Sequence, residues 1–186
     1  MIINKNIRSW LGQHRFIKDA RTVFRKPEVV NFDEATKIGL LYDATDVRDS
    51  ETVKNYIKNV RAKYKKDILA MGYVDKKTLH KTQYAQFGLD FFTLKDLNFQ
   101  MIPVNPVVSN FINEEFDILI NLNSGKCFPL RYISAMSKAR FRVARYSNEN
   151  NNSRVYFDMM VKLSGEPALK TVIEEIEHFL RLIKRS

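Results

Sequence analysis

Asp43 and Asp46, Asp75, and the group Asn121, Asn123 and Ser124 are the side chains best placed to do chemistry in this chain. Each group follows a short apolar run: KIGLLY (37–42), DILAMGYV (67–74) and FDILINL (116–122). In open α/β sheets ligands bind beyond the carboxyl ends of the strands. Carboxylates gathered there could hold Mg²⁺ or act as acid and base on a small substrate. Asp and Asn are also what turns and helix caps call for, and no histidine accompanies these residues.

The stretch Asn123-Ser124-Gly125-Lys126 ends like a phosphate loop but does not complete one. That pattern needs Gly at position 120 and Ser or Thr at 127, where this chain has Ile120 and Cys127. A G-x-G-x-x-G turn after the first apolar run is absent too, so neither nucleotide fingerprint is present. Cys127 could serve as a nucleophile at a helix start, where a thiolate is favoured. However, His14, His80 and His178 are dispersed, and a lone Cys is also an ordinary small core residue. With one cysteine there is no internal disulfide, and no Cys/His spacing suits a metal.

Charge is the stronger signal. The chain has 31 Lys+Arg against 21 Asp+Glu, a formal net charge of +10 over 186 residues. That balance favours anionic partners. Residues 4–25 read as a basic amphipathic helix ended by Pro27. Ile7, Trp10, Leu11, Ile17 and Phe24 recur near helical spacing, and Lys5, Arg8, Arg15, Lys18, Arg21, Arg25 and Lys26 are opposed only by Asp19. Such a helix suits nucleic-acid phosphates. It also suits an anionic membrane surface, with Trp10, Leu11 and Phe16 inserted. A third use is structural, with Trp10 and Ile17 packed on the domain and the cations left in water. Further cations cluster at Lys58, Arg61, Lys63, Lys65 and Lys66, at Lys76, Lys77 and Lys81, and at Arg131, Lys138, Arg140, Arg142 and Arg145. Those at 58–66 close a helix, where cations also complement the dipole.

The elements that must position these side chains follow from periodicity. Strands are expected at 37–42, 67–74, 89–94, 116–122 and 141–144, with a last edge strand within 154–163. Helices are expected from Ser50 onward (stripe Val53, Tyr56, Ile57, Val60, Tyr64), over 105–113, around Leu130, Ile133 and Met136, and from Pro167 onward (stripe Leu169, Val172, Ile173, Ile176, Leu180, Ile183). Alternating strands and helices imply a three-layer α/β domain, Rossmann-like or flavodoxin-like, with a mostly parallel sheet of five or six strands. The organisation expected is residues 1–27 as the basic N-terminal helix and 28–186 as a single α/β domain. An apolar fraction of 45% supports a packed core. The absence of a leader-like apolar stretch and the lone cysteine lead us to expect a cytoplasmic protein.

From Phe32 to Ser186 the chain resembles a family of small uncharacterised bacterial proteins, a domain of unknown function. The carrying segments are IGLLYDATD, DILAMGYVD and FDILINLNSGKCFPLRYISAMSKARFRVAR. That resemblance implies a fold and a compartment but no activity. The last segment also resembles, over about thirty residues, the N-terminal, acceptor-side half-domain of lipopolysaccharide heptosyltransferases. The nucleotide-sugar domain of that family has no counterpart here, so glycosyl transfer is not implied.

The functional expectation is a non-catalytic cytosolic protein that binds RNA or a ribosomal particle through its basic surface, with no cofactor. The alternative is a small-molecule-binding or enzymatic domain with its site at Asp43, Asp46, Asp75, Asn121, Asn123 and Ser124.

Overall fold

The apolar run at 37–43 becomes β1 (Lys37–Asp43), whose residues Ile38 to Tyr42 are all buried. A strand buried on both faces belongs at the centre of a parallel sheet, and β1 is flanked on both sides. It pairs in parallel with β2 (Asp67–Val74) from Lys37↔Asp67 to Asp43↔Tyr73, and with β4 (Ile118–Asn121) from Ile38↔Ile118. The structure, a computed structural model, describes residues 5–123, 127–146 and 156–184, without the side chains of 5–7 and 9.

With β3 (Leu89–Thr93), β5 (Phe141–Arg145) and β6 (Met159–Val161), the sheet has six strands in the order β3-β2-β1-β4-β5-β6, every pair parallel. This is the doubly wound order of Rossmann folds, whose direction of winding reverses between β1 and β4.

Period-two alternation divides the core in two. Ile38, Leu40 and Tyr42 face α2 (Val47–Tyr64) and α5 (Leu169–Leu182), together with Val53, Ile57, Val60, Ile173 and Ile176. Leu41, Met71 and Leu119 face α3 (Pro106–Asn113) and α4 (Phe128–Met136), with Phe111, Phe116, Leu130 and Ile133. A sheet covered on both faces by helices is the three-layer arrangement expected from the alternation.

Several boundaries differ from the sequence expectation. α2 starts at Val47 rather than Ser50, because the Asp46 side chain accepts from the Arg48 amide and acts as the cap. Ser50 is instead buried inside the helix, where its hydroxyl accepts from Gln83. The described part of the last strand is only three residues, Met159–Val161; residues 154 and 155 of the expected span lie outside the described residues.

The N-terminal helix, α1 (Lys5–Ala20), stops short of Arg25. The Asp19 carbonyl accepts from both the amide and the hydroxyl of Thr22, closing a turn. Arg25 and Lys26 then lie on an extended connection. α1 docks on α4 through Phe16, only 1% exposed, whose ring lies 6.0 Å from Phe128, 6.2 Å from Tyr132 and 4.7 Å from Tyr156. Trp10 is 59% exposed, Ile17 36% and Phe24 94%, so the helix does not pack through Trp10 and Ile17. Gly12 permits the close approach: a Cβ there would run into the Gln100 carbonyl.

Candidate functional site

The winding reversal between β1 and β4 places the carboxyl end of β1 beside the start of α4. The Asp43 carboxylate accepts from the Thr45 amide at 2.9 Å. Next to it on the sheet, Tyr73 donates its hydroxyl to Asp75 at 3.0 Å, and the Asp75 amide donates to the Thr45 hydroxyl at 2.9 Å. Tyr73 is held protonated by burial first, then by Asp75, with Cys127 and Asp43 adding smaller effects of the same sign. Asp43, Asp75, Tyr73 and Cys127 therefore share one electrostatic neighbourhood.

The remaining strand-end residues are engaged elsewhere. Asp46 caps α2 and pairs with the Arg48 guanidinium, which, with the cap bond, holds its carboxyl down at about 2. Asn121 is buried; it donates to the Ser134 hydroxyl at 2.9 Å and accepts from the Asn123 amide at 3.0 Å. It thus ties β4 to α4 and closes a turn. Ser124 lies outside the described residues. The structure gathers Asp43 and Asp75 around Tyr73, while the side chains of Asp46 and Asn121 are taken up by a helix cap and a β4–α4 tie.

Cys127 caps α4 without a side-chain bond, and its thiol is pushed up to about 12, chiefly by burial and further by Asp43 and Asp75. Those effects outweigh the helix start, so Cys127 is a thiol near neutrality and not the activated nucleophile that its position suggested. Two carboxylates at the winding reversal also repel phosphates at the place where nucleotides bind in this fold. Among the described residues no group of three or more His, Cys, Asp or Glu side chains is placed to hold a metal.

The basic residues separate into structural and free sets. Lys66 is buried, its ammonium donating to the Asp33 and Ala35 carbonyls and lying over the Phe32 ring. Arg61 donates to Ile68 and Phe87 carbonyls. Arg140 pairs with Glu28 and Asp117. On the N-terminal segment, Arg8 donates to the Phe99 carbonyl at 2.9 Å, Arg15 pairs with Asp19, and Arg25 forms a two-pronged pair with Asp158. The side chain of Lys5 lies outside the described ones. Lys18, Arg21 and Lys26 are exposed, and none of them has an ion pair among the described residues. Trp10 and Phe24 are exposed as well.

Sequence reasoning missed the Arg25–Asp158 pair and treated Arg142 as one more surface cation. Its position did carry a signal: a charged residue between Phe141 and Val143 in a strand read as apolar must point into the opposite layer.

No described helix is long and apolar enough to cross a membrane. Neither a curated protein nor a solved structure matches the chain, so the local likeness to heptosyltransferases has no counterpart there. A family model does match, over residues 11–183, which takes in most of α1 and the whole sheet. This chain, an α/β fold, belongs to that family, DUF6913, a family of unknown function.

Proposed function

We propose that this chain is a cytosolic RNA-binding protein that holds the phosphate backbone of RNA, free or within a ribosomal particle, on the outer face of α1 and the connection after it. The carrying observation is the orientation of α1. Phe16 anchors it inward, and Lys18 on the helix, Arg21 and Lys26 just after it, and the rings of Trp10 and Phe24 are all exposed. Cations that follow a backbone, interleaved with aromatic rings on which bases stack, suit unpaired RNA without base readout. Inward burial of Phe16 also removes one of the three side chains that membrane insertion would use, which favours RNA over an anionic membrane.

Filter binding of the full chain to an unstructured oligoribonucleotide over a salt series tests this. Removing one phosphate-binding cation should lower the salt slope by about 0.7 on single strands. Changing Lys18, Arg21 and Lys26 together to Glu should therefore cut both affinity and slope. Sedimentation of lysate at low salt should show the wild type, but not the triple variant, travelling with ribosomes. Retention of neither RNA nor ribosomes at low salt sinks the proposal.

A second reading rests on Asp43 and Asp75 sharing the neighbourhood of Tyr73 at the winding reversal. Two carboxylates and a protonated phenol suit a cationic or polyhydroxylated small molecule. A thermal-shift screen with such compounds, repeated on Asp43→Asn, tests it.

A further inference from the structure

Arg142 has a buried guanidinium that no carboxylate pairs with among the described residues. The residue is 4% exposed. Phe141 and Val143 point into the α2/α5 layer, so Arg142 faces the other way, toward α1. Its Nη2 donates to the Ser137 carbonyl, its Nη1 stands 3.5 Å from the Tyr156 carbonyl, and its Nε has no hydrogen-bond partner among the described residues. The nearby carboxylate, Asp158, is taken up by the Arg25 guanidinium and by the backbone amide of Arg142. Burial and the proximity of Arg25 lower Arg142 to about 9, with Asp158 only partly opposing them. A cation held out of water without its own counter-charge is costly.

Arg142 opens onto a cleft of about 540 Å³ lined also by Gln13, Ile17, Arg21, Arg25 and Tyr156. Three guanidiniums line the cleft, and among the described residues the one carboxylate placed against them is Asp158, on Arg25, so the described groups carry a surplus of two positive charges. The volume is in the range of small-molecule sites, and Ile17 and Tyr156 supply apolar wall. Guanidiniums are the side chains that grip phosphate through paired N–H donors.

We propose that this cleft binds a phosphate monoester, with its phosphoryl group between Arg21, Arg25 and Arg142 and its organic part against Ile17 and Tyr156. A dianion matches the surplus of two charges. The phosphoryl group can belong to a free phosphorylated small molecule or to the 5′ end of an RNA. The cleft goes beyond backbone binding on α1 and does not require it.

Thermal unfolding of the full chain in rising inorganic phosphate, with chloride holding ionic strength constant, reads this site. The expected result is a saturable rise in Tm of several degrees. Arg142→Met should abolish the rise, and Arg21→Gln should weaken the phosphate Kd at least tenfold by calorimetry. Arg21 is exposed, so that variant keeps the test valid if the Arg142 variant does not fold. Lys18→Glu with Lys26→Glu should keep phosphate binding even where RNA affinity falls, separating this site from the helix surface. Matched oligoribonucleotides with a 5′-phosphate or a 5′-hydroxyl distinguish the sources. Preference for the 5′-phosphate assigns the cleft to RNA ends; equal affinity, with phosphate still bound, assigns it to a small molecule. Absence of both phosphate-specific stabilisation and 5′-phosphate preference overturns the site, as does phosphate binding left intact in Arg21→Gln.

Discussion

Tyr132 on α4 donates its hydroxyl to the Asp19 carboxylate on α1 at 2.9 Å. The bond joins residues 113 apart in sequence and fixes the rotation of α1 about its own axis. Burial of the phenol and the adjacent carboxylate both keep Tyr132 protonated, so the donor persists throughout the physiological range. With Phe16 it decides which side of a helix with cations along its length is presented outward.

Phe16→Ala should release that clamp. Truncating a fully buried Phe costs about 3–5 kcal/mol in a rigid core. Because α1 rests on the domain largely through α4, the effect should appear first as undocking of the helix. Amide exchange in residues 8–20 should accelerate strongly while β1 and β4 keep their protection. Equal acceleration in the sheet would show α1 and the sheet opening as one unit.

Gly12→Ala should act on the same interface by a different route. Alanine is the better helix former by roughly 1 kcal/mol, so an isolated α1 would gain. Here the added methyl meets the Gln100 carbonyl, and the helix must shift. Net destabilisation in urea unfolding is expected, and its reversal to a gain in stability would place α1 farther from the 98–102 loop than the structure does.

Acid sensitivity should centre on Asp117. Burial works against its charge, but the amides of Lys37 and Thr36, the Thr36 hydroxyl and Arg140 together hold its carboxyl below the ordinary range. Lowered in the folded state, the group stabilises the fold above the unfolded value of about 3.9, and that contribution is lost as pH falls through the folded value. Asp117→Asn should be less stable at pH 7 and show a shallower decline below pH 4. Parallel stability curves for the two proteins over pH 2–5 would remove Asp117 as the cause.

Cys127 should be slow to react. With its thiol near 12, the native chain at pH 8 holds almost no thiolate. Labelling by a disulfide reagent should be far slower than in urea-unfolded chain and should rise with pH toward that value. Rapid native labelling at pH 7 would restore the nucleophile reading.

The amino-acid sequence by itself determined the parallel α/β class and the positions of its central strands. A strand buried on both faces must be a short apolar run such as KIGLLY, and the polar residues at its end must lie where the chain turns into a helix. The strand order, with its winding reversal between β1 and β4, was decided by tertiary pairing, because local periodicity does not say which strand becomes a neighbour. The inward face of α1 was also a tertiary decision. Trp10, Phe16, Ile17 and Phe24 offered more than one apolar face, and Phe16 was selected by the rings of Phe128, Tyr132 and Tyr156. Charge count showed that the chain is basic, but not which cations are free. Arg25 is neutralised by Asp158, 133 residues away, and Arg142 is left without such a partner among the described residues, because ion pairing depends on distance in space and not along the chain.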